Sequence, residues 1–333
     1  MVPAGNEGPA GYCSYARGVL VALCGGVGAA RMLSGLVRVV PPADITAVVN
    51  VGDDMVLHGL HISPDLDTVT YTLAGMDNRE TGWGVADERW TVMEELARLG
   101  GEDWFRLGDR DLATHLFRTG RLDAGEPLSS VIAELASRRS VGVRMLPVTD
   151  EPLRTRLTLG SATELGPAGT EVSFQDYFVR LHHEVPVQAV RFDGAASAVP
   201  APGVLQSIAR ADVVVVCPSN PVVSIGPLLA VAGVQEALEA RRDDVVAVSP
   251  IVAGAALKGP ADRLMAELGI EPSVVGVARL YAPWVGTLVV DVADEAAAPA
   301  VEAEGLRCVV APTVMQSPEV AADLARVVID ARR

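Results

Sequence analysis

Six short apolar runs punctuate the chain, and each closes on glycine, proline or a polar side chain. They are VLVALCGG (Val19–Gly26), ITAVVNVGDD (Ile45–Asp54), DVVVVCPSNP (Asp212–Pro221), DDVVAVSP (Asp243–Pro250), GTLVVDV (Gly286–Val292) and LRCVVAPT (Leu306–Thr313). Valine-rich runs without alternation are what strands buried on both faces require, as in parallel sheets. Between the runs, apolar residues recur at spacings of three and four. This predicts helices over Ala29–Val40, Val85–Leu99, Leu128–Arg139, Pro227–Ala240, Pro260–Leu268 and Pro318–Ala331. Strand and helix in alternation predict an α/β fold, a Rossmann-like wound and mainly parallel sheet, with ligands beyond the carboxyl ends of its strands. Residues 76–140 carry mostly helical signals and read as a helical insertion. Residues 143–192 mix VRMLPV and RTRLTL with polar breaks and read as a small hairpin excursion. Without internal repeats or a long linker, residues 18–333 read as a single domain, and the Gly- and Ala-rich residues 1–17 as a loose leader.

Composition narrows the partners. Half of the 333 residues are hydrophobic, enough for a substantial core, and the formal charge is −15. That balance argues against nucleic-acid or anionic-membrane partners but leaves room for an anionic small molecule screened by metal ions and local arginines. The cations are 26 arginines and one lysine, Lys258. Cys13, Cys24, Cys217 and Cys308 are scattered, without a C-x-x-C pair, as in a reducing, cytoplasmic setting. No apolar run reaches the ~18 residues of a membrane span. The stretch Val19–Leu23 is shorter than the ~7–15 residues of a signal core.

The candidate chemistry sits at the ends of the runs. LCGGVGAARML (Leu23–Leu33) reads as strand, glycine turn and helix. Gly25, Gly26 and Gly28 would let a ligand approach the backbone, and the helix offers free N–H groups to a phosphate. The spacing is neither G-x-G-x-x-G nor a Walker loop, so a plain tight turn explains it equally well. After the second run, Asp53, Asp54, Asp65 and Asp67 fall within fifteen residues. Helix capping accounts for Asp65 and Asp67, since PDLDT reads as a helix start with Pro64 in the first turn. It accounts less well for the Asp53–Asp54 pair, and crowded carboxylates favour a hard cation such as Mg²⁺. Asn50 could add an amide hydrogen bond; His58 and His61 read as surface or packing residues. In FRLGDRDLATH, Asp111 and His115 share a helix face, which capping and local ion pairs explain as well as a site does. Ser219, Asn220 and Ser224 follow the most apolar run, and Ser249 and Lys258 follow the next; such polar loops favour ligand contact.

In this order, the strings GGVGAARML, NVGDD, ISPDLDTVTYTL, GWG, LGDRDLATH, PSNPVVSIGP and SPIVAGAALKGPA resemble the family of 2-phospho-L-lactate transferases of coenzyme F420 biosynthesis. They run from about residue 20 to 285. The resemblance implies an Mg²⁺-dependent transferase. A guanosine diphosphate conjugate would supply a 2-phospholactyl or phosphoenolpyruvyl group, the terminal ribityl hydroxyl of the deazaflavin Fo would accept it, and GMP would leave. It implies metal at Asp54 and Asp65, supported by Asp53 and Asp67, with Asp54, Asp65 and Asp67 as the catalytic candidates. Gly25, Gly26, Gly28, Ser219, Asn220, Ser249 and Lys258 would hold the guanosine diphosphate part. Thr68, Trp83 and the Gly108–His115 stretch, with Asp109, Arg110 and Thr114, would face Fo. A homodimer is implied as well. YAPWVGTLVVD, after Tyr281, lacks an acid the family pattern places there, so that tail is left out of the site. Two rivals remain. One is a non-enzymatic UDP-sugar-binding regulator of the same superfamily, which shares the glycine-rich start and the aspartate pair. The other is a nicotinamide-dependent oxidoreductase, disfavoured by the irregular glycines and by VGDD where a lone ribose-binding acid belongs.

Overall fold

Seven strands make the central sheet of the computed structural model, which describes residues 19–78 and 82–332. The leader expected at residues 1–17 lies outside the described residues. The strands are β1 (Leu20–Cys24), β2 (Ile45–Val49), β3 (Arg144–Pro147), β4 (Val213–Val216), β5 (Val245–Val248), β6 (Thr287–Val290) and β7 (Arg307–Val310). They lie in the order β7-β6-β5-β4-β1-β2-β3, and every pairing is parallel. Every residue of β1, β2, β4, β5 and β6 is buried, which is why their sequences do not alternate. The chain winds outward from β1 to β3 on one side and from β4 to β7 on the other. The switch point, where a crevice must open, therefore falls between β1 and β4.

Helices cover both faces. The five used below are α1 (Gly26–Leu36), α2 (Pro64–Leu73), α3 (Thr91–Arg98), α4 (Asp109–Asp123) and α5 (Leu128–Arg138). α1 packs between α2 and the C-terminal helix Pro318–Asp330. Among the described residues no helix is long and apolar enough to cross a membrane.

Several expectations are corrected. VRMLPV does not belong to a hairpin excursion: its core, β3, pairs with β2 from Thr46↔Arg144 to Val49↔Pro147 and forms the sheet edge. The excursion begins after it. Arg154–Leu159 lies antiparallel between Glu171–Ser173 and Val187–Asp193, and its burial alternates as a one-faced strand's should. The helix expected from Val85 starts at Thr91, because Val85 bridges Asp77 and Asp87 takes a positive φ. The helix expected over Pro227–Ala240 divides into Gly226–Ala230 and Val234–Glu239 around Gly233, at φ +81°. Val274–Tyr281, apolar on most sides and capped by Ser273, is a helix that spacing did not reveal. Within the expected insertion, α5 belongs to the sheet layer against β3. α3 and α4 instead share a small separate core, built on Met93 and Leu107, with the hairpin Met55–Leu57/Leu60–Ile62.

Candidate active site

A cleft of about 710 Å³ opens over the carboxyl ends of β1, β2, β4 and β5. Its floor is the switch point. Ser219 Oγ donates to the Gly25 carbonyl at 2.8 Å and accepts the Gly25 N–H at 3.3 Å, tying the loop after β4 to the turn after β1. Gly28 is glycine because of this junction: a Cβ there would stand 2.0 Å from the Pro218 carbonyl oxygen. Gly26, at φ +71°, is different; the nearest group to a Cβ there would be Asp65 Oδ1, at 3.8 Å. Asn220 Oδ1 accepts the N–H groups of Val222 and Val223, and Ser249 Oγ donates to the Ile251 carbonyl. Ser219, Asn220 and Ser249 all line the cleft, and each spends its side chain on shaping its own loop.

The acids come next. Asn50 follows β2, and its amide donates to Asp65 Oδ2 at 2.9 Å while its carbonyl oxygen accepts the Gly52 N–H at 2.7 Å. One side chain thus fixes both the turn that carries Asp53 and the first turn of α2 that carries Asp65. Both carboxyls line the cleft and are nearly buried, and Asp53 Oδ1 has no hydrogen-bond partner among the described residues. Burial, then the charges of Asp65 and Asp54, push Asp53 well above the carboxylate range. Burial raises Asp65 to about 6 against the pull of Asn50 and the Gly26 N–H. Among the described residues no ion pair is formed by either acid, and their hard oxygens fit a divalent cation. Asp54 turns elsewhere: it does not line the cleft, and its Oδ2 accepts from Ser63 Oγ at 2.8 Å. Burial of its carboxyl raises it to about 7, opposed by Arg154, Ser63 and Arg118.

Asp67, one turn along α2, begins the cleft wall. It forms an ion pair with Arg118, which is 0% exposed, and its Oδ2 lies 3.7 Å from His115 Nδ1. Arg118 Nη1 is 3.2 Å from the same Nδ1. A guanidinium only donates, so Nδ1 accepts and the ring proton belongs on Nε2, 3.2 Å from Asp111 Oδ2. Asp111 also accepts from the Tyr71 hydroxyl. Burial pushes Asp111 up, but His115, Tyr71 and Arg118 outweigh it and hold the carboxyl below its ordinary value. Asp67, Asp111 and His115 lie close enough to hold a metal ion. Arg118 argues against one, because it already supplies the positive charge and occupies Nδ1.

Other expected residues separate here. Thr68, Trp83, His115 and Lys258 line the cleft; Gly108, Asp109, Arg110 and Thr114 do not. Asp109 and Arg110 help dock the segment leading into α3 onto α4. Glu88 accepts the N–H groups of Arg110 and Asp111, Arg110 donates to the Ala86 carbonyl, and Asp109 accepts the Val92 N–H. Thr114 Oγ1 donates to the Tyr71 oxygen at 3.0 Å and accepts from Arg139. Sequence reasoning missed an aromatic wall from the excursion. Phe174 and Phe178 line the cleft and stack at 5.4 Å and 10°, and Phe178 stacks on His183 at 5.3 Å. Arg31, Phe105 and Arg106 also line the cleft. The F-x-x-x-F spacing after a short strand was the available signal for Phe174 and Phe178.

A wound parallel sheet with acids and a glycine turn at its switch point, faced by aromatic rings, defines an α/β enzyme of the kind that handles phosphorylated small molecules. Comparison with known proteins makes this specific: the chain belongs to the CofD family, described as 2-phospho-L-lactate transferase, whose model matches residues 20–324. It is accordingly a transferase of coenzyme F420 biosynthesis. It is 48% identical over 310 residues to a phosphoenolpyruvate transferase of Kitasatospora aureofaciens, covering 92% of this chain and 95% of that one. A phosphoenolpyruvate transferase of Mycolicibacterium smegmatis is 39% identical over 321 residues, covering 93% and 98%. Among solved structures, a UPF0052 family protein from Bacillus halodurans shares the fold at a TM-score of 0.59 and 17% identity, over 94% of this chain and 99% of that one.

Proposed function

We propose that the protein moves a phosphoenolpyruvyl group from a guanosine diphosphate conjugate to the terminal ribityl hydroxyl of Fo. The hydroxyl oxygen bonds to the phosphorus bearing the three-carbon acid, the anhydride bond to the next phosphate breaks, and GMP leaves. The names of the relatives support the enolpyruvyl over the lactyl donor. The observation that carries the reading is the convergence of Asp53 and Asp65 beside the glycine turn, one of them with a buried oxygen that has no hydrogen-bond partner among the described residues.

Asp53 and Asp65 would hold Mg²⁺, which when bound neutralises charge on the phosphates and the departing GMP. Asn50 orients both carboxyls. The first turn of α1 beyond Gly26 holds the diphosphate with backbone N–H groups, those of Gly25 and Gly26 being given to Ser219 and Asp65. Phe174, Phe178 and Trp83 offer flat faces to the deazaflavin ring. Asp67, fixed by Arg118 and with an Oδ2 that has no hydrogen-bond partner among the described residues, receives the hydroxyl proton. Such transfers depend mostly on alignment and electrostatics, so a rigid cleft suffices for most of the rate.

The test is incubation with Fo, Mg²⁺ and either the enolpyruvyl or the phospholactyl conjugate, followed by detection of GMP and product mass. Faster turnover of the enolpyruvyl conjugate is expected. A preference for the lactyl conjugate would reverse the donor assignment. No turnover of either, with tight UDP-sugar binding, would replace the enzyme with the regulator.

A further inference from the structure

The cleft has a basic end as well as an acidic one. Arg31 lies one turn beyond Val27 on α1, and both line the cleft together with Lys258. Helical side chains lean toward the helix N-terminus, so Arg31 reaches back toward the glycine turn. Lys258 arrives from the opposite side, just after the hairpin Ile251–Val252/Ala255–Ala256. A Cβ on Gly82 would stand 2.7 Å from Lys258 Nζ and 3.3 Å from Val27 Cγ1, so the ammonium lies over the first turn of α1. The other arginine that lines the cleft, Arg106, lies over the Trp90 ring at 4.4 Å. Burial and then the nearby Arg31 charge lower the Lys258 pKa, as two cations brought together should. Along α1 the charge therefore changes sign. Asp65 stands beside Gly25 and Gly26, whereas Arg31 lies five residues on, about 7.5 Å along the helix axis.

We propose that Arg31 and Lys258 form a two-cation seat for the carboxylate of the three-carbon acid carried by the donor. The inference rests on the transfer reading above, and it moves Lys258 from the guanosine diphosphate to the acid. The diphosphate already meets the glycine turn and the cation that Asp53 and Asp65 would hold. The acid adds one further negative charge, and that charge needs its own partner. A guanidinium takes a carboxylate through two parallel hydrogen bonds, and an ammonium completes it as a point charge.

Two measurements test this. Arg31→Gln, Lys258→Gln and the double variant are assayed for guanosine diphosphate affinity with Mg²⁺ by calorimetry, and for KM of the conjugate and of Fo. In the double variant, guanosine diphosphate affinity is expected to stay within about twofold, while the conjugate KM rises about tenfold or more and that of Fo is unchanged. An equal loss of guanosine diphosphate affinity would mean that the pair reads the diphosphate, and a rise confined to the Fo KM would place it on the acceptor; either overturns the proposal. The second measurement does not depend on turnover. Lys258 is the chain's only lysine, so an amine-acylating reagent reports on it by peptide mass spectrometry. Phosphoenolpyruvate is expected to protect Lys258 in the parent and not in Arg31→Gln. Equal protection in both, or none in the parent, overturns the seat even if transfer is confirmed. Protection without transfer would leave the seat standing and sink the transfer reading.

Discussion

Asn50 Nδ2 donates to Asp65 Oδ2 at 2.9 Å, and the same side chain accepts the Gly52 N–H at 2.7 Å. This joins two segments fifteen residues apart into one acidic unit. Asn50→Ala would free both, and partners that orient metal ligands are typically worth 10–100-fold in affinity or activity. A rise of about tenfold in the Mg²⁺ concentration for half-maximal turnover is expected, with an unchanged circular dichroism spectrum. Unaltered Mg²⁺ dependence would show that Asp65 needs no such support.

The adjacent acids Asp53 and Asp54 face different ways, so their substitutions should separate. Asp53→Asn is expected to lose more than the roughly 100-fold that a supporting partner's loss costs. Asp54→Asn should keep most turnover, because Ser63 still finds an oxygen acceptor there. GMP release at saturating substrates decides between them, and the reverse ranking would return the metal to Asp54.

The acidic unit also sets a pH dependence. The folded-state values of Asp53, Asp54 and Asp65 are all raised, the last two to about 7 and about 6. Protonation therefore favours the folded state. The stability these groups contribute is complete below about pH 4, their unfolded value, and is lost as pH rises through 6 to 7. Without metal, melting temperature should fall over that window, and Asp65→Asn should flatten the fall. Protons and cation compete for the same oxygens, so the stabilisation from Mg²⁺ should be larger at pH 8 than at pH 5.5. Thermal melts with Mg²⁺ and with chelator check both statements, and a metal increment independent of pH would refute the second.

Arg118 lies behind the cleft wall, fully buried against Asp67. Arg118→Met removes one partner of a buried pair and leaves Asp67 uncompensated, a loss of about 3–5 kcal/mol. A clear drop in the urea midpoint is expected, with Asp67→Asn/Arg118→Met recovering part of it. A single variant as stable as the parent would mean that solvent reaches Asp67.

Much of this was legible from residues alone. The strands read correctly because burial on both faces leaves an unbroken run of valines, as in Val213–Val216. The glycine turn and three of the four aspartates line one cleft, as residues placed just after strand ends can. Their orientation was not legible: whether Asp53 or Asp54 faces the cleft is decided by Ser63 and Arg154, which only the fold brings near. Arg118 carried no signal in the sequence, since arginines are seldom fully buried. Phe174 and Phe178 were hidden by a polar, turn-rich excursion whose contact with the cleft depends on tertiary packing.

The Ser219–Gly25 junction welds two strand ends into a floor made largely of backbone. The aromatic side, by contrast, hangs from a three-stranded appendage with its own apolar nucleus. An engineer meets two materials here. Exchanges at the junction would break the chassis, whereas the ring-bearing flank can be recut without disturbing that floor.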